Sequence, residues 1–359
     1  MTSVHILTND LGPTSVSATL FPLLHHKSAL ESLGIRSTIF TTADEALTDC
    51  DTLIVDSKQF KLHWKHEPKV ILEQLDAFKN KVQRLFWLDT TDSTGHLQTH
   101  VFPYVDRYFK GQLLRDRSQY LDCWYGGRIY TDHYHRTNGI VDNEPEYSMP
   151  VPSDQLWKLR VSWSNALANH SYSWLGQART RLKRWLRRPS PLGPPNRWTA
   201  PSYQRRIPIS ARFGLDYSKA TIKYQRERIK KLLGNRAQTD RIKRREYFLE
   251  MENSTVVLAP FGWGEFNYRD YHAFLSGALL VKPNMSHMET WPDLYRDGVT
   301  MLSFDWDLDT MLDVLETALQ DKDGYLGIAE TGQETYKRHL ASEQAEELFA
   351  ERVYSVITE

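Results

Sequence analysis

Cysteine is nearly absent from this chain of 359 residues: Cys50 and Cys123 are the only two. Two lone cysteines build neither a disulfide framework nor a zinc site. A reducing, cytoplasmic compartment is expected. Long apolar runs are missing as well. No stretch approaches the ~18 apolar residues that span a bilayer. The opening residues, MTSVHILTND, have neither a basic n-region nor an apolar core, so no secretory signal is expected. Internal repeats are absent. Acid is missing over one long interval. From Gln155 to Leu215 there is no Asp or Glu against 12 Lys and Arg, so the rest of this formally neutral chain carries a net charge of −12. Such segregation marks a partner-facing surface.

The length is natural for two domains. Aromatic residues are plentiful at 12%, with 11 Trp and 18 Tyr. They suit sugar-stacking surfaces, membrane-interface contacts or simply a large aromatic core. The first half alternates short apolar runs with helical periodicity. Strands are predicted at Val4–Thr8, Arg36–Thr41, Thr52–Val55 and Arg84–Leu88, and helices at Ala18–Leu33, closed by Gly34, and Val70–Lys79. Such alternation implies a parallel sheet covered by helices. In the middle, Leu156, Leu159, Trp163, Leu167, Trp174, Ala178, Leu182 and Trp185 fall mostly three or four apart and predict one helix. Its other side carries Arg179, Arg181, Lys183, Arg184, Arg187 and Arg188, and a proline-rich linker follows Pro189. Trp on one face, cations on the other and no acid are the marks of an interfacial helix. The segment 155–188 is therefore a candidate contact for an anionic membrane surface. A solvated basic face packed by its Trp side onto the first domain is the alternative, and no nucleic-acid motif accompanies the charge. The alternation restarts with strands at Ile207–Arg212, Thr255–Ala259 and Ala278–Val281. Helices are predicted at Lys219–Leu233, Asp270–Ser276 and Leu308–Leu319, with a last long one at Glu334–Val356.

The chemistry concentrates in Thr255–Trp306. A buried strand runs into the loop FGWGE (Phe261–Glu265), then a helix, Gly277 and another buried strand. Gly262 and Gly264 let backbone approach a ligand closely. The helix N-terminus beyond offers N–H groups and a positive dipole to phosphate. Arg269, at its start, can hold a diphosphate with its fork of donors. In the first half, Asp89 and Asp92 sit where a strand meets the Thr/Ser/Gly-rich loop of WLDTTDSTG (Trp87–Gly95), and Asp10 follows the first strand in the same way. Ligands of α/β sheets bind beyond the carboxyl ends of strands. These three aspartates are the acid/base candidates, with helix capping for Asp10 and an Asx-turn for Asp92 as the alternatives. His133 and His135 have a spacing that could reach a metal from one strand face, but no third ligand lies nearby in sequence.

The order strand, Pro-Phe-Gly-x-Gly-Glu, Arg-x-aromatic-x-Ala, Gly-Ala-Leu-Leu-Val resembles the group-one glycosyltransferase superfamily, and bacterial surface-polysaccharide enzymes in particular. NMSHMET followed by Arg296–Val299 is similar to the family's donor loop and Asp-Gly turn. WLDTTDSTG and YGGRIYTDHYH look like motifs of a polysaccharide-associated subgroup. The clear likeness covers roughly 207–319. It implies an α/β chain of the GT-B fold: two Rossmann-like domains facing a cleft, with a basic amphipathic helical segment between them. The division expected is 1–154 for the acceptor domain, 155–205 for the basic helix and linker, 206–332 for the nucleotide-sugar domain and 333–359 for a helix packing back across the domains. The implied activity is transfer of a sugar from a nucleotide-sugar donor to a glycan or lipid-linked acceptor in surface polysaccharide synthesis. The donor is a co-substrate, and no cofactor or catalytic metal is expected. The place of work implied is the cytoplasm, peripheral on the inner face of the membrane. By the same likeness, Glu265 stands where the donor sugar is met and counts as a further catalytic candidate. Ser286 lies in the donor loop, and Arg212 and Lys219 stand where phosphate-binding cations occur. His272 stands where many members place a ribose-binding glutamate, a role Glu289 could take instead. Rival readings are a nucleotide-sugar epimerase of the same fold and a non-catalytic membrane- or polyanion-binding protein.

Overall fold

The computed structural model describes residues 1–9, 15–60, 64, 67–168, 194–195 and 197–358. The first unit is built on β1 (Thr2–Leu7), β2 (Ile35–Phe40), β3 (Thr52–Asp56), β4 (Arg84–Asp89), β5 (Arg107–Lys110) and β7 (Leu159–Val161), with β6 (Gln112–Leu114) outside its sheet. The six strands are all parallel, in the order β2-β1-β3-β4-β5-β7. Every residue of β3 is buried, which is why TLIVD reads as an apolar run without alternation: a parallel sheet is covered on both faces. The helices are α1 (Ser15–His25), α2 (Lys27–Ser32), α3 (Pro68–Lys79) and α4 (Ile129–Asn138). The stretch expected as one helix over Ala18–Leu33 thus breaks at His26. Gly34 follows with φ +82°, the left-handed value that glycine adopts without strain.

The second unit has β8 (Ile207–Ser210), β9 (Ser254–Leu258), β10 (Leu279–Pro283) and β12 (Leu302–Phe304) in one parallel sheet, ordered β12-β10-β9-β8. Strand β11 (Met288–Thr290) leaves it to pair antiparallel with β6 of the first unit. Its helices are α5 (Ala220–Leu233), α6 (Arg244–Glu252), α7 (Tyr268–Ser276), α8 (Met311–Gln320), α9 (Lys322–Leu340) and α10 (Ala345–Thr358). The last two replace the single helix expected over Glu334–Val356, with the chain interrupted after Leu340. Helix α10 crosses back onto the first unit. Arg84 donates to the carbonyl of Ile357 at 2.6 Å, and Arg352 donates to those of Ser162, at 3.0 Å, and Val161. Two parallel α/β units thus face one another across a cleft, the GT-B arrangement.

The middle of the chain departs from expectation. Over 155–168 there is no amphipathic helix. Leu159–Val161 adds a sixth strand to the first sheet by pairing parallel with β5, so the first unit runs past the boundary set at 154. Trp163 is fully buried, donates Nε1–H to the Thr19 carbonyl at 2.7 Å and packs edge-on against Phe349. It is a core residue and not an interfacial anchor. Spacing of three or four misled here because Leu159 and Val161 point inward with period two, and their strand partner is about fifty residues away in sequence. The basic remainder, with Trp174 and Trp185, lies outside the described residues. Among the described residues no helix is long and apolar enough to cross a membrane.

The two units are knit along one side. Asp142 of the first accepts from the Thr221 N–H at 2.9 Å and so satisfies the start of α5 in the second. From α4, Tyr130 donates to the Gly262 carbonyl and Tyr134 to that of Trp306.

Candidate functional site

Strand β9 is apolar throughout its second half and ends at Leu258. The chain then turns through Pro260–Phe266 before α7 begins. Asn267 caps α7, accepting from the Arg269 N–H at 3.0 Å, while Asp270 reaches back to the Asn267 N–H at 3.1 Å. This reciprocal pair fixes where the loop must end. Beneath it, Lys282 of β10 and Asp270 form a fully buried ion pair at 3.0 Å, and Tyr295 adds its hydroxyl to Asp270.

The cleft at this loop holds a cavity of about 270 Å³. Gly262, Trp263, Gly264, Phe266, Tyr217 and Arg226 line the second unit's wall, and Ser15, Asp92 and Asn165 face them. A smaller extension reaches Asp89–Thr91 and Gln112. Close approach requires glycine at 264 and leaves little room at 262. A Cβ on Gly262 would lie 3.1 Å from the Tyr217 hydroxyl and 3.2 Å from Arg226 Nη2. One on Gly264 would lie 2.9 Å from the Ser93 nitrogen and 3.4 Å from Asp92 Cβ. The missing side chains therefore let the loop nestle against its own protein as much as against a ligand.

Three guanidinium groups gather behind this wall. Arg226 donates Nε–H to Phe261 O at 2.6 Å and Nη1–H to Gly214 O at 2.8 Å, and lies over the Tyr217 ring at 4.6 Å. Burial, with the nearby charges of Arg269 and Arg241, brings it down to about 10, so it is still a cation at neutral pH. Arg269 lies 5.9 Å from the Tyr247 ring, and its enclosed Nη1 has no hydrogen-bond partner. Neither Arg226 nor Arg269 makes a salt bridge with a described carboxylate. Buried donors normally find a partner, and Arg269 Nη1 has none among the described residues.

Asp89 is fully buried. Lys110 Nζ lies 2.7 Å from one of its oxygens, Tyr108 donates to the same oxygen at 2.7 Å, and the Thr91 amide and hydroxyl donate to the other at 2.8 and 2.6 Å. Burial opposes its charge, but Lys110 and these donors outweigh it and hold the carboxyl below its ordinary range. Asp89 is a structural anion with no oxygen to offer a substrate. Asp92, three residues on, is exposed on the cleft and has no partner among the described residues. The tight turn that presents it includes Ser93 at φ +73°.

Glu265 is also fully buried, under the cleft floor. It accepts from the Thr94 N–H at 3.0 Å and the Ser93 hydroxyl at 3.3 Å, and His287 Nε2 lies 3.9 Å away. Burial raises its carboxyl, but His287 and Thr94 together pull it down to about 2. Glu265 thus ties the two units together.

The other expected site residues are engaged elsewhere. Arg212 grips Glu250, its Nε 2.9 and 3.1 Å from the two oxygens, and Lys219 pairs with Glu146 at 3.0 Å. His272 is buried against α6, its Nδ1 3.2 Å from the Tyr247 hydroxyl, between the rings of Tyr247 and Phe248. Ser286 donates to Asn284, and Glu289 pairs with Arg117 at 2.8 Å. None of these five lines the cleft. Asp10 lies outside the described residues. His133 and His135 belong to helix α4 and not to a strand. His133 meets Asp307 at 2.9 Å and His135 stacks on Tyr125. Arg226, absent from the expected set, did leave a trace in the sequence: it falls on the buried stripe Ile222, Arg226, Ile229, Leu233 of α5, where a cation needs a reason to be.

No protein-family model matches the sequence, and no curated protein matches it. Among solved structures, the backbone is similar to that of Anabaena HepE in complex with UDP-glucose, at 12% identity and TM-score 0.43, covering 99% of this chain and 100% of that one. It is similar to an α-glucosyltransferase in complex with UDP, at 11% identity and TM-score 0.48, over 100% of both chains. A third likeness, to the T4 phage β-glucosyltransferase, is at 9% identity and TM-score 0.45, again over 100% of both.

Proposed function

We propose that this chain is a glycosyltransferase that moves a sugar from a nucleoside-diphosphate sugar onto a glycan or lipid-linked glycan of a bacterial surface polysaccharide. The observation that carries the reading is the opposition across one cleft of a buried guanidinium and a carboxylate that has no partner among the described residues. Arg226 lines the cavity beside the glycine loop on one side, with the enclosed Arg269 nearby but outside the lining, and Asp92 faces it on the other. The anchored Arg226 guanidinium suits a phosphate group, and Tyr217 and Trp263 offer ring faces beside it.

In this arrangement the acceptor hydroxyl lies against the Asp92–Thr94 turn. Its oxygen forms the new bond to the anomeric carbon as the bond from that carbon to the phosphate oxygen breaks. The nucleoside diphosphate leaves with the bonding pair, its charge stabilised by Arg226, and the hydroxyl proton passes to Asp92. A single displacement inverts the anomeric centre.

The test is a thermal-shift series with the common nucleoside diphosphates and their sugars. The right one, at 100 times its dissociation constant, stabilises by about 2.7 kcal/mol, and the product made from it has the anomeric configuration opposite to the donor's. No shift with any nucleoside diphosphate overturns the reading. Retention overturns the assignment of Asp92 as base in a single displacement.

A further inference from the structure

We propose that a hollow at the outer edge of the first sheet is a second anion site, built to take a phosphate or diphosphate group. It measures about 510 Å³ and shares no lining residue with the cleft. Four segments converge on it: Arg115 and Arg117 after β6, Arg160 in the edge strand β7, Glu289 in β11 and Arg352 in α10. Four guanidiniums and one carboxylate leave a net charge of +3 among the charged lining groups.

Backbone carbonyls hold all four guanidiniums. Arg115 donates to the carbonyls of Ser286 at 3.3 Å and Met288 at 3.2 Å. Arg160 donates to those of Trp157 at 2.6 Å and Leu159 at 3.0 Å. Arg352 is anchored on Ser162 and Val161. Arg117 pairs with Glu289. An arginine carries five N–H donors, and Arg115, Arg117 and Arg160 each use two, so all three are oriented with donors left over. In the second unit, by contrast, Arg212 is matched by Glu250 and Arg197 by Glu252. Like charges are costly to gather unless an anion sits among them, and the planar fork fits phosphate oxygens two at a time. Trp157, 54% exposed, forms one side of the hollow and leaves room for the organic part of a phosphorylated ligand.

The experiment is calorimetric titration of the full chain with inorganic pyrophosphate, run beside the double variant Arg115→Gln/Arg160→Gln and the single variant Arg115→Gln. The single variant removes only an exposed side chain and keeps the test valid if the double variant misfolds. Vesicles of phosphatidylcholine with and without phosphatidic acid form a second arm. The expected result is pyrophosphate binding weakened at least tenfold in the double variant and measurably in the single one, with melting temperature in the absence of ligand unchanged. Vesicle binding that needs phosphatidic acid and the two arginines assigns the group to a lipid, and pyrophosphate binding alone assigns it to a soluble ligand. Binding of neither, or binding indifferent to both variants, overturns the proposal.

Discussion

Asp89 and Asp92 share one loop, and their surroundings give them opposite chemistry. Asp89 is surrounded by donors and cannot exchange a proton without unpairing buried Lys110, whereas Asp92 meets the cleft with no partner among the described residues. Asp92→Asn keeps shape and most hydrogen bonding but cannot accept a proton. It is expected to lower turnover about 10²–10⁴-fold while the donor dissociation constant stays unchanged; steady-state rates and donor titration read the two separately. A third carboxylate gives a pH signature. Asp56, at the end of β3, accepts from the hydroxyls of Thr8 and Thr90 at 2.8 Å each, but burial dominates and pushes it up to about 6. Because the folded value is raised above the unfolded one, the folded state holds the proton longer. The contribution of Asp56 to stability is therefore full below about pH 4 and is lost as pH rises through 6, on the order of 1–3 kcal/mol. Asp56→Asn removes that fall: melting curves of the variant are expected to be flatter than wild type between pH 4 and 6 and higher above it. At this scale the sequence was legible only in part. It placed Asp92, Gly262 and Gly264 at a ligand cleft because a strand end and a glycine loop are local signals, while Arg269, read from the same loop, does not line that cleft. It could not show that Arg212, Lys219 and Glu289 have partners of their own, because Glu250, Glu146 and Arg117 lie 38, 73 and 172 residues away.

Among the elements, buried strands were the easiest to read. Continuous apolar runs such as Leu53–Val55 and Leu279–Val281 announce a sheet covered on both sides. Strand β7 was the hardest, since three residues beside tryptophans at helical spacing carry almost no pattern of their own, and pairing with β5 decides their conformation. The loop between β9 and α7 carries a prediction. Gly264→Ala brings a methyl group to 2.9 Å from the Ser93 nitrogen, a backbone atom that cannot swing aside. The loop must lift from the Asp92 turn, at a cost of about 1–3 kcal/mol. Both a lower melting temperature and slower transfer are expected. A variant with wild-type melting and rate would mean that the two loops do not touch in solution.

The whole molecule is held together by a path that runs from the first unit to the second and back. Phe349, Ala350, Val353, Val356 and Ile357 of α10 are all buried, against a core that includes Leu30 and Trp163 of the first unit. At about 1.5–3 kcal/mol for each large apolar side chain, removing 345–358 is expected to cost on the order of the protein's entire stability. Scanning calorimetry of the truncated chain should show the first unit's transition lost or shifted down by tens of degrees. The return of α10 also sets an order of events at the ribosome. The edge strand at Leu159–Val161 emerges roughly 180 residues before the helix that covers it. At about 5–20 residues per second the first unit waits roughly 10–40 s, with part of its apolar face in water, for a helix translated after the whole second sheet. A holding chaperone would therefore meet this chain in mid-synthesis, at the patch around Leu30 and Trp163, and codon changes that slow translation of the second unit would lengthen that encounter without altering a residue.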